Sequence, residues 1–377
     1  MTQLAPNPPF EMAASGLTVV TNNFSTKQMD FGGNILSTNA APESLAQSLT
    51  RAWERSSDVQ ARIAGANIDT SNLGRPLKEL IPEIASEMKT LLEVQHSTES
   101  QVSFSQAAQL HYQFGFGENC EFSSERVCLF SHFDLDNKID THVINYLSAL
   151  KAEGFKIVFI TSNLQLDNTS IDAIQTICSS LIYRENKGYD FAGWALSLRL
   201  FPSLYNADEV LMCNDSVYGP LRSLSPIFDK MNEAPCDFWG VTESLEVEWH
   251  LQSYFLVFKK TALSSSIFRQ FWMAVKALSE KTELIHAYEV PMARLLANGG
   301  LRPGVLVALE DVSSVVCNPT LNPWRKTLLV GKSPFVKVQL LRDNPLSSDI
   351  DNWQKLVAQF GYDPAVIESH LSRVRAR

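Results

Sequence analysis

Between residues 127 and 213 the chain alternates short apolar runs with helix-forming segments, and this alternation limits the possible folds more than any other feature. The apolar runs predict buried strands over residues 127–133, 156–161, 181–183 and 209–213. Between them, apolar residues at helical spacing predict helices near residues 141–150 and 170–179 and from Phe191 onward. Strands that alternate with helices at this spacing form a mostly parallel sheet with helices on both faces.

The next part of the chain breaks this alternation. Residues 237–241 and 254–258 are predicted strands with no helix between them. Two strands joined without a crossover helix pair antiparallel rather than parallel. The predicted fold class is therefore α/β, with a mixed, mostly parallel sheet and flanking helices.

The segments outside this region suggest a division into four parts. Residues 1–40 are rich in Asn, Ser, Thr and Pro and are predicted to form a loose arm, with a short strand at 17–20. Residues 41–125 carry apolar residues at helical spacing, at 45, 49 and 53 and again from 77 to 88, and predict a small helical module. We expect a catalytic domain over 126–315 and a C-terminal extension over 316–377 that packs on it.

Charge and cysteine usage narrow the function class and the location. With 32 basic and 41 acidic residues, the net charge of −9 argues against a nucleic-acid-binding protein. The six cysteines are scattered, without a CxxC pair or a zinc-type Cys/His spacing, which is typical of a reducing cytoplasm. The sequence shows no signal-peptide pattern and no apolar stretch of about 18 residues that could span a bilayer. We expect a cytoplasmic protein, either free or peripheral at the inner face of the cell membrane.

Polar residues follow each of the first four predicted strands. In open α/β sheets, ligands bind beyond the carboxyl ends of the strands. Asp134 follows the first strand, and Asn and Ser residues follow the second. Asn186–Asp190 follows the third, and Asn214–Ser216 follows the fourth. Such residues are also turn formers and helix caps, but four polar ends on one rim favour a binding site.

Asn214, Asp215 and Ser216 are the most informative of these residues. An acidic residue just past a buried strand can hold a divalent cation together with substrate phosphates. Such a cation neutralises the charge that develops on a nucleoside-diphosphate leaving group. We predict that Asp215 binds Mg²⁺ or Mn²⁺ and that its two neighbours contact the donor. The structural alternative is an aspartate that caps the following turn.

The segment after the third strand predicts an anion site. Gly188 permits close backbone approach, and the helix that follows offers its first amides to an anion. Asp190 can accept hydrogen bonds from sugar or ribose hydroxyls. The predicted donor-binding residues here are Asn186, Gly188, Tyr189 and Asp190; the alternative is an ordinary strand-to-helix connection.

A late glutamate is the candidate base. Glu289 precedes Pro291 and a helical run that ends at Gly299, which places it at a predicted helix N-terminus. The helix dipole there favours an ionised carboxylate, as a general base requires; a capping glutamate without a catalytic role is the alternative. Four polar residues near the two late strands are predicted to bind acceptor hydroxyls or else to lie in surface loops: Glu243, His250, Gln252 and Ser253.

Several blocks of the sequence, in this order, resemble one family. They are Glu185–Trp194, Leu211–Pro220, Asp237–Thr242, His250–Phe255, Asn318–Thr320 and Phe335–Pro345. Together they resemble the rhamnan synthesis protein F family, and the order of strands and motifs is similar to GT-A glycosyltransferases. The resemblance covers roughly Val127 to the C-terminus and does not include the first hundred or so residues.

The resemblance implies a bacterial, inverting hexosyltransferase that helps to assemble a surface polysaccharide, such as the O-antigen of lipopolysaccharide, a capsule or a rhamnan. The implied donor is a nucleotide sugar similar to dTDP-rhamnose, and the implied acceptor is a glycan or lipid-linked glycan. Polysaccharide assembly proteins are the implied partners. In the GT-A pattern Asp215 corresponds to the metal and diphosphate residue, and Glu289 to the base. Asn214–Asp215–Ser216 departs from the usual Asp-x-Asp by having one carboxylate.

Two other functions fit parts of the pattern. The single carboxylate leaves open a catalytically silent GT-A-like module that binds glycan or acts as a scaffold of an assembly complex. A different α/β enzyme, such as a phosphoester or glycan hydrolase, is disfavoured because the sequence has no Gly-x-Ser-x-Gly elbow, P-loop or His-rich metal set.

Overall fold

A computed structural model describes residues 19–22, 35–38, 42–56, 110–313 and 318–375, and it divides the chain into two units, Met1–Ser103 and Phe104–Arg377. In the first unit, β1 (Val19–Asn22) and β2 (Ile35–Thr38) pair in parallel, and α1 spans Pro42–Ser56. The part predicted as a loose arm thus contains two paired strands. The helix predicted around residues 45–53 is confirmed, whereas the pattern from 77 to 88 lies outside the described residues.

The larger unit consists of short strands and helices that alternate over its first half. The strands are β3 (Tyr112–Phe116), β4 (Arg126–His132), β5 (Lys156–Thr161), β6 (Ser180–Arg184), β7 (Glu209–Asn214), β8 (Val217–Tyr218), β9 (Phe238–Ser244), β10 (His250–Leu251), β11 (Phe255–Lys259), β12 (Pro303–Val307) and β13 (Val336–Lys337). The helices are α2 (Thr141–Ala152), α3 (Asn168–Gln175), α4 (Tyr189–Leu200), α5 (Ser225–Glu233), α6 (Lys260–Leu263), α7 (Ser266–Ala274), α8 (Lys281–Leu284), α9 (Val290–Asn298), α10 (Leu309–Val312), α11 (Trp324–Leu329), α12 (Val338–Arg342), α13 (Trp353–Ala358) and α14 (Pro364–Arg375).

Nine of the described strands of this unit form one sheet. Its order is β10-β9-β11-β7-β4-β5-β6-β3, and β12 pairs with β9. The central strands β7, β4, β5 and β6 are parallel, whereas β11 is antiparallel to both β7 and β9. The predicted mixed, mostly parallel sheet is therefore confirmed, and the strands predicted from the apolar runs agree with it to within a few residues.

The apolar runs are continuous because the sheet is covered on both faces. Along β4, Val127 and Leu129 belong to one core cluster, whereas Cys128 and Phe130 belong to the other. All four side chains are fully buried. Alternation along a strand sends neighbouring side chains to opposite faces, so both kinds of position must be apolar.

The sheet begins earlier in the chain than the sequence predicted. β3 pairs antiparallel with β6 at the edge of the sheet, so the strand at 112–116 belongs to the larger unit although it precedes residue 126, the predicted start of the catalytic domain. From Gln113 to Phe116 its residues alternate between exposed and half-buried positions, as in an antiparallel strand with one solvated face.

Five cysteines are free thiols, and Cys317 lies outside the described residues. None of the helices described here combines the length and the apolar character needed to cross a bilayer.

The end of the chain builds a third apolar cluster. It includes Tyr218, Trp324, Leu340 and Leu371, which are buried against one another. The phenol of Tyr218 lies 2.7 Å from Nδ1 of His370 on α14, which joins the last helix to the segment after β7. The C-terminal segment thus packs on the sheet unit through these contacts.

His142 on α2 is enclosed by this packing. Its ring lies 5.1 Å from that of Tyr218 and 4.5 Å from that of His370, and its Nδ1 has no hydrogen-bond partner among the described residues. Burial, the neighbouring histidines His370 and His132, and Arg373 lower the pKa of His142 well below its usual value, although Asp134 opposes them. The folded protein therefore holds this imidazole in its neutral form.

A depressed histidine pKa makes stability fall in acid. Below about pH 6.5 the unfolded chain binds a proton at His142 that the folded chain does not bind, so stability is lost as the pH falls from that value. We expect a His142→Phe variant to lose less stability than wild type between pH 7 and pH 4, measured by urea denaturation. His111→Phe, at an exposed position, is the control and should follow the wild-type curve. Equal slopes for wild type and His142→Phe would contradict this account.

Candidate active site

The carboxyl ends of β4 and β7 place two acidic segments side by side. The parallel register sets Ser131 opposite Asn214, so the residues after both strands reach the same edge of the sheet. There the amide of Phe133 donates a hydrogen bond to Oδ2 of Asp215 over 3.1 Å. Asp134 follows directly. Two residues that are distant in sequence thus meet at one rim.

The two motifs predicted to bind the donor are joined by Asn214. Its Nδ2 donates to Oδ2 of Asp190 over 2.8 Å, and its Oδ1 accepts hydrogen bonds from the amide and hydroxyl of Ser216. The carboxamide therefore orients the carboxylate of one motif and the turn of the other. A second aspartate in place of Asn214 could not donate to Asp190, which gives a physical reason for the departure from Asp-x-Asp.

Asp215 lies close to other carboxylates. A quarter of its side chain is exposed, towards the cleft. Burial and the nearby carboxylates of Asp190 and Asp134 raise its pKa to about 8, although the hydrogen bond from Phe133 opposes this shift. A divalent cation would relieve the repulsion between these carboxylates and return Asp215 to its ionised form. The oxygen donors here suit Mg²⁺ or Mn²⁺.

The turn between β6 and α4 is shaped by a buried arginine. Arg184 donates from Nη1 to the carbonyls of Glu185 and Lys187 and from Nη2 to the carbonyl of Tyr189. Gly188 has a φ of 72°, and a Cβ there would lie 2.6 Å from Cα of Ala277. The glycine is thus required by packing on the protein itself. Sequence reasoning missed Arg184, although a charged residue at the end of a buried strand is a usable signal.

Glu289 lies across the cleft, in a different setting from the predicted one. It is the last residue of a π-helical turn, Ile285–Glu289, between α8 and α9, and its backbone is helical. It is therefore inside a continuous helical segment rather than at a free helix N-terminus, and the predicted effect of the helix dipole is wrong. Its carboxylate is oriented instead by Ser253, which donates from its amide over 3.0 Å and from its hydroxyl over 2.9 Å.

The mixed sheet explains how Ser253 reaches this place. Because β11 is antiparallel to β7, it begins where β7 ends, and Phe255 lies opposite Cys213. The residues just before β11 therefore belong to the same rim as Asp215. Gln252 donates to Asn318 and accepts from Thr242.

The predicted site residues fall into two groups, those that line one cleft and those that do not. One cleft of about 1070 Å³ has in its lining ten of those predicted: Asp134, Tyr189, Asp190, Asn214, Asp215, Ser216, His250, Gln252, Ser253 and Glu289. Asn186, Gly188 and Glu243 are not among its lining residues. The carboxylate of Glu243 accepts hydrogen bonds from the indole of Trp249 and the amide of Leu309, an arrangement that supports a loop.

The C-terminal segment supplies a wall that the sequence did not predict. The residues of this segment that line the cleft include Lys337, Gln339, Arg342, His370 and Arg375. The signal for the first of these was present, because Lys337 stands inside the apolar run Phe335–Val338. A lysine among buried apolar residues usually has a specific role.

Arg373 forms ion pairs with the acidic residues after β4. Its guanidinium bonds Asp134 at 2.6 Å and Asp136 at 2.5 Å, and it also bonds Asp140. Among the described residues, Asp134, Asp140 and His370 form a group whose ligand atoms lie close enough to share a metal ion. Arg373 already bridges both aspartates of this group, so the positive charge beside them comes from its guanidinium. Asp215, the predicted metal ligand, is not a member of this group.

Loss of this arginine should destabilise the fold. Replacing Arg373 with Met leaves Asp134 and its neighbours without their cation, and breaking a largely buried ion pair costs about 3 kcal/mol. We expect a loss of that order in the free energy of unfolding, measured by urea titration. Arg294→Met removes an exposed pair with Glu248 and serves as the control, with an expected change below about 1 kcal/mol. Similar losses in both variants would mean that Arg373 is only a surface residue.

Comparison with known proteins bears out the predicted resemblance. The family model described as Rhamnan synthesis protein F matches residues 157–377, more than half of the chain. The chain therefore belongs to the rhamnan synthesis protein F family, and its sheet is the mixed, mostly parallel sheet that the sequence predicted. A second model, the C-terminal domain of WsaF, matches residues 3–50.

Two curated relatives match parts of the chain. Virulence protein VirA of Vibrio anguillarum is 29% identical over 200 residues, which cover 45% of this chain and 64% of VirA. The uncharacterized protein y4gN of Sinorhizobium fredii is 27% identical over 187 residues, which cover 48% of this chain and 49% of y4gN. The matches thus span about half to two thirds of the length of these relatives.

Solved structures similar to this chain include glycosyltransferases. A mannosyltransferase of Pyrobaculum calidifontis in complex with GDP-Man and Mn²⁺ is 12% identical, with a TM-score of 0.34 over 70% of this chain and 72% of that one. The glycosyltransferase GlyE of Streptococcus pneumoniae is also 12% identical, with a TM-score of 0.33 over 67% and 64%. Both similarities are distant, and the fold is assigned from the strand order of the sheet.

Proposed function

We propose that this protein is a glycosyltransferase that moves a hexose, such as rhamnose, from a nucleoside-diphosphate donor to a growing surface polysaccharide. The observation that carries the proposal is the composition of the cleft. Asp190 and Asp215 line it from the ends of the parallel strands, and Glu289 lines it from the helical segment opposite. A donor phosphate site and a candidate base in one cleft are what transfer to a hydroxyl requires.

In this proposal the chain's own residues orient the donor and move the proton. Asp215, with Asp190 beside it, would hold a Mg²⁺ or Mn²⁺, which neutralises the charge that develops on the departing diphosphate. Asn214 keeps the Asp190 carboxylate in place through its amide. On the other side, Ser253 holds Glu289 by two hydrogen bonds to one oxygen, which leaves the second carboxylate oxygen for a substrate proton.

The proposed step is a single displacement. The acceptor hydroxyl oxygen forms a bond to the anomeric carbon while the bond from that carbon to the donor phosphate oxygen breaks. The electron pair of the broken bond leaves with the nucleoside diphosphate, and Glu289 receives the hydroxyl proton. Attack from the face opposite the leaving group inverts the configuration at the anomeric carbon.

The acceptor is proposed from polar residues that line the same cleft. His250, Gln252 and Asn318 line the cleft near Glu289 and offer polar atoms to sugar hydroxyls. We propose a glycan or lipid-linked glycan as the acceptor. Sugar transfer would take place in the cytoplasm or at the inner face of the membrane, alongside polysaccharide assembly proteins.

Nucleotide binding tests the donor site. We expect calorimetry with dTDP, UDP, GDP and CMP to show Mn²⁺-dependent binding of one nucleoside diphosphate, weakened at least about tenfold by Asp215→Asn. Asp229→Asn, at an exposed position on α5, is the control and should bind like wild type. Binding that does not require metal would remove the cation from the proposal. If none of the nucleotides binds, the glycan-binding module without activity becomes the better assignment.

Transfer kinetics test the base. We expect Glu289→Gln to lower the rate of sugar transfer by about 10²–10⁴-fold while nucleotide binding is kept, because the amide cannot accept the proton. Ser253→Ala should cause a smaller loss, since it frees the carboxylate without removing it. The product should have the inverted anomeric configuration, determined by NMR. A product of retained configuration would rule out this role for Glu289.

A further inference from the structure

Lys337 is held against the segment that follows Asp215. β13 pairs antiparallel with β8, which sets Lys337 opposite Val217. The amide of Val338 also donates to the carbonyl of Ser216 over 2.9 Å. These backbone hydrogen bonds hold Lys337 beside Val217, the residue that follows the predicted donor-binding residue Ser216. The lysine itself belongs to the C-terminal segment of the chain.

The ammonium group of Lys337 points into the cleft that holds the candidate catalytic residues. Its Nζ donates to the hydroxyl of Ser216 over 3.1 Å and lies 4.8 Å above the ring of Tyr254. The carboxylates of Glu289, Asp190 and Asp215 are all close enough to interact with its charge. Lys337 therefore lies between the two sides of the cleft.

The charge of Lys337 differs from that of the other cations that line the cleft. Arg342 forms two hydrogen bonds with Asp343, and Arg375 donates to the carbonyl of Leu341. Lys281 is exposed to solvent. Lys337 is half-buried, and among the described residues no carboxylate lies within ion-pair distance of it. A half-buried charge without a direct counterion is costly unless a ligand supplies one.

We infer that Lys337 is a binding residue for the diphosphate of the donor, which rests on the proposed function. A phosphate oxygen beside Ser216 would receive a charge-assisted hydrogen bond from Nζ, whose other donors Ser216 and Tyr254 leave available. During transfer the bond from the anomeric carbon to this phosphate breaks, and the electron pair passes to the phosphate oxygen. Lys337 stabilises that oxygen by its hydrogen bond and keeps its own proton.

The same position explains why one carboxylate at Asn214–Ser216 is enough. A second cation at the donor phosphates shares the neutralisation that would otherwise fall on the metal site alone. The residue comes from the C-terminal segment, so this segment would be part of the donor site and not only a support for the sheet.

The test compares binding of a nucleoside diphosphate with binding of the same nucleoside. With the nucleotide that wild type prefers, we expect Lys337→Met to weaken diphosphate binding about tenfold or more, and nucleoside binding less than about threefold, by calorimetry. Lys337→Arg should retain most of the affinity because it keeps the charge. Lys326→Met, an exposed lysine on α11 of the same segment, should bind both ligands like wild type.

The outcomes separate this inference from the proposed function. Equal weakening for nucleoside and diphosphate would assign Lys337 a structural role and overturn the inference, as would unchanged diphosphate affinity in Lys337→Met. In both cases wild type still binds the nucleotide, so the donor site survives. Absence of nucleotide binding by wild type would overturn the proposed function and this inference together.

Discussion

The parallel hydrogen bonding between β4 and β7 is the constraint on which the candidate site depends. The register that sets Ser131 opposite Asn214 ends both strands at one level, and this brings Asp215 within reach of the Phe133 amide. Asn214 can then bond Asp190 on the neighbouring motif. A shift of one residue would exchange the faces on which Asn214 and its neighbours lie, and the acidic rim would no longer face the cleft.

An acidic rim needs positive charge, and the C-terminal segment delivers it. Arg373 binds the aspartates after β4, and Lys337 reaches the segment after β7. Burial and the carboxylates of Asp190 and Asp134 nevertheless raise the pKa of Asp215. The rim thus remains net negative on both sides, with one arginine among three aspartates after β4 and with Asp215 after β7, where the donor phosphates and their cation are proposed to bind.

The antiparallel half of the sheet supplies the other side of the reaction. Because β11 runs against β7, Ser253 emerges at the same rim and orients Glu289. The order of strands therefore decides that a serine from a connection and a glutamate from a helical segment meet near the carboxyl ends of the parallel strands. The position of Glu289 depends on this contact more than on the dipole of its helix.

The amino-acid sequence by itself determined the six main strands β4, β5, β6, β7, β9 and β11, the helices between the parallel strands, the mixed sheet and the rim at which Asp190 and Asp215 meet. These features follow from local periodicity and from the rule that parallel strands end at one edge. Only the tertiary structure decided the partners of Glu289, the pairing of the strand at 112–116 and the roles of Lys337 and Arg373. Lys337 and Arg373 lie 121 and 239 residues from the side chains that they bond. Contacts over such separations depend on how the finished elements pack, and no local pattern in the chain encodes them.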